Sequence, residues 1–338
     1  MKAITVNNDG STFASLTLEM NFPDPKLRSE IDLSINLMAF SINPIDVQMR
    51  KGMSELKLLK SSILGRDFAG VVDQVGASVT NFKSGDRVYG YLGSLGTNGS
   101  YAQKLVCPSS IIAKIPDHIS FEEAASIPVG GATSLQVIER LPNLDKNSSI
   151  FITGAAGGVG TILIQLLLNK GVKKIVATYG NEASKNHLLS FGLQLNQLVS
   201  YQLNSNIKQE AINKNEGNLF DYAIDLVGNN MAEVAAEVLK IQGTFVDVTF
   251  FTTSHSREVL FDKGACVLNI ANYVYAFEEK LHSQYARMLN HLNELIGQRK
   301  ILLPSLNVFA GLTLENIDKA HELIDKNITQ GKKIVIKI

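Results

Sequence analysis

The residues best placed to do chemistry form one glycine-rich run, Thr153-Gly154-Ala155-Ala156-Gly157-Gly158-Val159-Gly160. Glycine lacks the Cβ that holds a backbone away from a bulky anion. Where such a run follows a strand and opens a helix, free N–H groups and the positive end of the helix dipole meet a diphosphate. Here Ile150-Phe151-Ile152 reads as a short apolar strand before the run. Thr161–Asn169 reads as a helix after it, with Gly171 as its C-terminal stop. A glycine pattern alone also suits a tight turn. With the flanking strand, the helix and a second strand at Lys174–Thr178, the expectation is dinucleotide binding through Ala156, Gly157, Gly158 and Val159.

Proteins that bind NAD place an acid on the ribose 2′-hydroxyl about 20 residues past the glycines. The second strand here ends Val176-Ala177-Thr178-Tyr179-Gly180 with no Asp or Glu, and Glu182 comes only at the next helix start. An acid would repel a 2′-phosphate, so its absence permits NADP and the expected cofactor is NADPH. The Thr178 hydroxyl is expected to face the ribose. Lys185 either compensates the extra phosphate charge or is a solvated surface lysine. Val227-Gly228 and Thr249, at later strand ends, are expected to wall the cofactor cleft, because ligands sit at the carboxyl ends of such strands.

These residues need a frame. From Ser149 onward, strands and helices alternate: Lys174–Thr178, Ser184–Ser190, Gln197–Ser200, Asp221–Leu226, Ala232–Leu239 and Thr244–Thr249. That spacing implies parallel βαβ units in a doubly wound sheet. Up to about Pro116 the chain instead reads as short strands (Asp32–Leu37, Phe68–Val75, Arg87–Tyr91) separated by Gly, Pro, Asn and Asp clusters. Ser120-Phe121-Glu122-Glu123 is a capping box opening a helix through Ala124–Ala125. The tail holds amphipathic helices at Glu278–Gly297 and Ile317–Ile324 and an alternating strand at Lys333–Ile338. The expectation is one β-rich domain from residues 1–126 and 278–338, with a nucleotide-binding domain, 127–277, inserted between them.

Composition narrows the function classes. The 338 residues suffice for two sizeable cores, and 45% hydrophobic with 19% charged residues is an ordinary globular balance. With 32 basic and 32 acidic side chains there is no basic excess of the kind nucleic-acid binders use, so no nucleic-acid partner is expected. The two cysteines, Cys107 and Cys266, read as free buried thiols in a reducing compartment. Met1–Gly10 reads as a strand entering a turn and lacks the apolar core of a signal peptide. No apolar run approaches the ~18 residues of a membrane span. A cytoplasmic protein without a membrane partner is expected.

Further marks run nearly end to end: Ile42-Asn43-Pro44-Ile45-Asp46, Leu64-Gly65-Arg66-Asp67-Phe68-Ala69-Gly70-Val71-Val72, Gly85-Asp86-Arg87-Val88-Tyr89-Gly90 and Gly99-Ser100-Tyr101-Ala102. Asp225-Leu226-Val227-Gly228 and Gly331-Lys332-Lys333-Ile334-Val335 follow. In this order the chain resembles the medium-chain dehydrogenase/reductase superfamily, in its zinc-independent quinone oxidoreductase (zeta-crystallin-like) branch. The resemblance implies an α/β protein: a GroES-like β-rich catalytic domain plus a Rossmann doubly wound parallel-sheet nucleotide-binding domain. Zinc-dependent members place a cysteine ligand where this chain has Asn43, and Gly-His-Glu where it has Gly65-Arg66-Asp67. A catalytic zinc needs three His, Cys or carboxylate ligands, and the six histidines show no ligand spacing, so no metal is expected.

Without a Lewis acid, hydride transfer suits acceptors that are already electrophilic. The resemblance therefore implies NADPH delivering hydride to a small-molecule quinone or to the β-carbon of an enone, with a proton from water. A narrower 2-alkenal/enone reductase, and a non-catalytic NADPH-binding structural or regulatory protein, are the alternatives. By resemblance Asn43 lies beside the nicotinamide and donates to the developing oxyanion or the cofactor carboxamide. Asp46 matches a position the family keeps acidic, and either acts in catalysis or pairs with Arg50, which faces the cleft or only that carboxylate. Arg66 and Asp67 either line the vacated metal pocket or plug it as an ion pair, the arrangement we expect. Tyr101 reads as core more than cleft. Thr133, in the segment Gly130-Gly131-Ala132-Thr133, is expected to hydrogen-bond near the nicotinamide, and Tyr201 to stack near the adenosine 2′-phosphate. The family commonly dimerises through the nucleotide-domain edge, and the apolar run Cys266–Ala271 suits that edge, so a homodimer is expected.

Overall fold

The computed structural model describes residues 1–7, 13–52, 61–202 and 206–338. The turn expected at the end of Met1–Gly10 lies partly outside them. The chain divides into two units. The first comprises Met1–Ala132, Asn272–Gly297 and Leu303–Ile338; the second comprises Thr133–Ala271 and Gln298–Leu302. The division falls inside a helix, at Ala132, and after Ala271.

In chain order the first unit opens with β1 (Ala3–Val6) antiparallel to β2 (Leu16–Glu19). The long strand β3 (Asp32–Ser41) then leads through Asn43 into the short helix α1 (Pro44–Arg50). Proline at the first helical position suits this start, because its missing N–H is one the helix cannot use. Next come β4 (Asp67–Val75), β5 (Arg87–Tyr91), β6 (Lys104–Pro108) and β7 (Ile112–Lys114). The capping box is realised at α2 (Phe121–Ala125): Ser120 Oγ accepts the Glu123 amide at 3.1 Å, and the Glu123 carboxylate accepts the Ser120 amide at 2.8 Å. Helix α3 (Pro128–Arg140) follows, carrying the Gly130–Thr133 segment.

The second unit alternates as its periodicity requires. Its elements are β8 (Ser149–Ile152), α4 (Gly158–Asn169), β9 (Lys174–Tyr179), α5 (Glu182–Ser190), β10 (Leu198–Ser200) and α6 (Ile207–Lys214). They continue with β11 (Phe220–Asp225), α7 (Asn230–Val238), β12 (Leu239–Asp247), α8 (Ser254–Asp262) and β13 (Cys266–Asn269). The strands are parallel in the order β10-β9-β8-β11-β12-β13. The order reverses direction between β8 and β11, which is where open α/β sheets bind ligands. Phe151, Val176, Val199, Phe220 and Phe245 pack with Ala232, Ala235 and Ala236 of α7 in one core.

The chain then returns to the first unit through α9 (Ser283–Gly297), β14 (Leu306–Ala310), α10 (Leu314–Asp325) and β15 (Lys333–Lys337). Helix α9 starts five residues later than the sequence pattern indicates. Ahead of it Leu281 and His282 bond back three residues to Glu278 and Glu279, a tighter turn than an α-helix. The first unit's sheet runs β14-β15-β3-β4-β5-β7, and β6 also pairs antiparallel with β3, along Asp32–Asn36. Strand β15 lies antiparallel to β3, with Val335 opposite Ser41. This pairing brings Lys333 to the segment that enters α1. Ile4, Phe40, Ile42, Met49, Leu64, Tyr101, Ile317, Ile334 and Ile336 close the core beneath it.

Candidate functional site

In the second unit the glycine run has the shape its sequence implies. Gly154 sits at φ 61°, a left-handed turn that glycine adopts without penalty. Gly157 is the N-cap of α4 and carries no side-chain cap, and Gly157 and Gly158 are exposed. The first turn of the helix therefore presents its amides outward. A Cβ at Gly157 would meet only the Gly154 carbonyl oxygen, at 3.3 Å, leaving that face open. At Gly160 a Cβ would lie 2.3 Å from the Ala155 carbonyl oxygen, so this glycine lets helix and loop close together. Ala156 and Val159 are half-buried, and the Val159 carbonyl accepts from Ser134 Oγ at 2.9 Å. These residues fit a dinucleotide diphosphate.

Two residues hold the loop from below. Thr178 is 1% exposed, and its Oγ accepts the Gly154 amide at 3.2 Å. This corrects the expectation that its hydroxyl faces a ribose: the group is engaged under the loop. The other support, Asp225, carries no assigned role in the sequence reading. Its carboxylate, fully buried, accepts Thr153 Oγ at 2.6 Å and the amides of Val227 and Gly228 at 3.1 and 3.0 Å. Burial pushes its carboxyl up, opposed by those hydrogen bonds. An Asp closing an apolar strand, with Gly three residues on, is a local signal that could have found it. Lys185 is half-buried and paired with exposed Glu182 at 3.2 Å, a surface contact of small energy. Tyr201 closes over the end of β9: a Cβ at Gly180 would lie 2.1 Å from its hydroxyl. Val227 is exposed beside the glycine loop, whereas Thr249 is half-buried and donates its amide to Asp247 Oδ1 at 2.9 Å. Thr133 is buried in α3.

In the first unit, Asn43, Asp46, Asp67 and Lys333 form a buried polar cluster. Asp67 Oδ2 accepts Ser41 Oγ at 2.8 Å and Asn43 Nδ2 at 2.9 Å, while its Oδ1 accepts the Val129 amide at 2.9 Å. Lys333 Nζ lies 3.7 Å from Asp67 Oδ2 and donates to Asn43 Oδ1. The Asn43 amide is thus gripped at both ends, leaving one of its two N–H groups uncommitted. Burial pushes the Asp67 carboxyl up and pulls the Lys333 ammonium down, and each charge opposes the shift of the other. Asp46 Oδ2 accepts the Asn43 amide at 2.8 Å, and its Oδ1 is buried without a partner. Burial raises the Asp46 carboxyl to about 7, against the pull of the Asn43 amide and Arg66.

Two ion pairs expected from the sequence do not form. Arg50 does not pair with Asp46: its NH1 meets Asp318 Oδ1 at 2.7 Å, Nε donates to the Ala14 carbonyl, and the guanidinium lies 4.0 Å over the Phe13 ring. Asp46 faces inward at the first turn of α1, while Arg50 reaches across to α10. Arg66 and Asp67 are not an ion pair, because consecutive residues of extended chain point to opposite sides. Arg66 donates to the Gly93 carbonyl and lies 3.3 Å from Met49 Sδ, while Asp67 turns to Lys333. Tyr101 is core, stacked on Phe40 and bonded to the buried His321 at 2.9 Å. Burial drives His321 down to about 3. Cys107 is buried, but Cys266 is exposed on the edge strand β13.

Residues 29–117 match the alcohol dehydrogenase GroES-like domain family, and residues 158–293 match the zinc-binding dehydrogenase family. The chain belongs to the medium-chain dehydrogenase/reductase superfamily. A "zinc-type alcohol dehydrogenase-like protein" of Staphylococcus epidermidis is 24% identical over 97% of this chain and 96% of its own length. The quinone oxidoreductase of Coxiella burnetii superposes with a TM-score of 0.82 at 27% identity, covering 100% of this chain and 99% of that one. Escherichia coli quinone oxidoreductase, solved with NADPH, gives 0.82 at 23% identity, with both chains covered in full. The fold is accordingly a GroES-like domain plus a Rossmann domain. Zinc-dependent members of this superfamily would need ligands at Asn43 and Arg66. Those side chains are engaged by Lys333, Asp67 and Gly93, and an ammonium lies among them. The residues present do not fit a catalytic zinc. Among the described residues no cluster of three His, Cys or acidic side chains could hold a metal, and no helix is long and apolar enough to cross a membrane.

Proposed function

We propose that this chain is a zinc-independent, NADPH-dependent oxidoreductase acting on quinones or α,β-unsaturated carbonyl compounds. The observation that carries the reading is the Lys333 ammonium buried against Asn43 and Asp67, where the zinc-dependent relatives would coordinate their ion. A site with an internal monovalent cation cannot polarise an unactivated alcohol as a metal does. It suits acceptors whose conjugation already spreads the incoming charge onto an oxygen.

When bound, reduced nicotinamide supplies a hydride, and the acceptor takes its balancing proton from water. The second unit holds the cofactor: Ala156, Gly157, Gly158 and Val159 at the diphosphate, with Thr178 and Asp225 bracing that loop. Lys185 and Tyr201 lie near the end of β9, which itself carries no acid, and the carboxylate at the next helix start, Glu182, is paired with Lys185. The likeness to an E. coli enzyme solved with NADPH supports the same choice. Thr133, Val227 and Thr249 are assigned to the nicotinamide half. In the first unit the remaining Asn43 N–H is the donor for a developing oxyanion, and Asp46 fixes the Asn43 backbone and holds a proton at Oδ1 near neutral pH. Arg50 braces α1 against α10. We place the protein in the cytoplasm as a homodimer joined along β13.

The test is oxidation of NADPH and of NADH, followed by loss of nicotinamide absorbance, with a simple quinone and with an enone. Turnover with at least one acceptor and a preference for NADPH is expected. Tight NADPH binding without turnover of either acceptor would make this a binding protein and overturn the reading.

A further inference from the structure

At the carboxyl ends of β11 and β12 two loops are built on one plan. Asp225 and Asp247 close the strands opposite each other in register. Each buried carboxylate turns back to accept amides of its own loop: Asp225 from Val227 and Gly228, and Asp247 from Thr249 and Phe250 at 2.9 and 2.8 Å. The loops are tied together, since the Asn229 amide donates to the Phe251 carbonyl at 2.8 Å and a Cβ at Gly228 would lie 2.5 Å from Phe251 Cβ.

This scaffold turns two apolar side chains outward. Val227 is 44% exposed and Phe250 is 84% exposed. Phe250 stands there at φ 64°, a conformation that residues with a Cβ rarely adopt. A glycine or asparagine would take the position with less strain, and a polar side chain would face water at no hydrophobic cost. The chain holds a strained, water-exposed aromatic in place with a buried carboxylate. Such over-determined strain concentrates at sites of function. The position is informative: a Cβ at Gly154 would meet Val227 Cγ2 at 2.8 Å, so the pair begins beside the diphosphate cradle. It continues from β11 to β12, on the side of the sheet away from β9 and Tyr201.

We propose that Phe250, on the loop tied to that of Val227, is a specificity-determining platform that stacks a flat, electron-poor ring, so that ring quinones are preferred over open-chain enones. The proposal rests on the reductase reading above and narrows its substrate class. A phenyl face gains from offset contact with a second conjugated ring, whereas an acyclic enone covers little of it.

The test compares wild type with Phe250→Ala, Phe250→Leu and Phe250→Gly, using phenanthrenequinone and methyl vinyl ketone as acceptors. Loss of the stack is expected to lower kcat/KM for the quinone about fivefold or more in Phe250→Ala, and less in Phe250→Leu. The enone and the NADPH affinity should stay within about twofold. Phe250→Gly should show the same quinone loss with a Tm at or above wild type, which separates stacking from a structural need for the ring. Equal losses on both acceptors, a parallel loss of NADPH affinity, unchanged quinone kinetics or a changed oligomeric mass would each overturn the platform. Calorimetric binding of phenanthrenequinone to the NADP⁺-loaded protein reads the contact independently of turnover. If wild type oxidised NADPH with neither acceptor, the functional reading would fail, while weaker quinone binding by Phe250→Ala would still support the platform and equal or absent binding would refute it.

Discussion

Replacing Lys333 with methionine removes one charge from a cluster whose side chains are almost wholly buried. Lys333 is 9% exposed and Asp67 fully buried, with Nζ 3.7 Å from Oδ2. Deleting one partner of a buried pair typically costs about 3–5 kcal/mol, because the other charge is left uncompensated. Asp67 keeps three donors, Ser41, Asn43 and the Val129 amide, so the lower end, about 3 kcal/mol, is expected. The loss should depend on pH. With the ammonium gone, the Asp67 carboxyl moves further above its ordinary value. A carboxyl raised in the folded state loses stability as pH rises from the unfolded value, near 4, through the folded one. The Lys333→Met deficit should therefore be larger at pH 8 than at pH 5 and shrink in the double variant Lys333→Met/Asp67→Asn. Guanidinium unfolding of the four proteins at both pH values measures this coupling. A Lys333→Met deficit that is absent, or unchanged by Asp67→Asn, would refute the claim that this pair holds the site.

Asp46, raised to about 7, binds a proton in the folded state that the unfolded chain has released, so its own contribution to stability should fall between about pH 4 and 7, against the opposite slope contributed by His321. Asp46→Asn should remove that contribution, changing the difference from wild type by on the order of 4 kcal/mol across the window, read from unfolding midpoints at each pH. The two loop glycines should separate binding from folding. Gly157→Ala should leave Tm near wild type and weaken NADPH at least tenfold by fluorescence titration, while Gly160→Ala should lower Tm by clashing with Ala155. Light scattering should give a dimeric mass, reduced by a charged substitution at the exposed Val267 of β13; a monomeric wild type contradicts the edge assignment.

The alternation of the second unit was legible because each strand and helix announces itself within a dozen residues. Gly171 and the Ser120 box also stand where local chemistry puts them. Helix α3 was hidden, since Gly130-Gly131 disfavours a helix in isolation. Packing overrides that preference: a Cβ at Gly131 would lie 2.4 Å from Leu292 Cδ1, so α9 can approach only a glycine. The cluster around Asn43 was half legible. Asn43 and Asp46 stand in one short motif, but Lys333 comes from 290 residues away, and an isolated lysine opening an apolar strand reads as surface. Arg50 and Arg66 were given the nearest carboxylates in sequence, whereas strand alternation and helix facing sent both elsewhere. Asp247 went unnoticed for a further reason. A carboxylate that serves amides two and three residues on looks like an ordinary turn until the loop it supports is seen.

Hydride transfer without a metal is tested most directly by the metal content of purified protein, paired with quinone-dependent NADPH oxidation before and after exhaustive chelation. Substoichiometric zinc and an unchanged rate are expected. Stoichiometric zinc, with activity lost on its removal and restored on its return, would contradict the account.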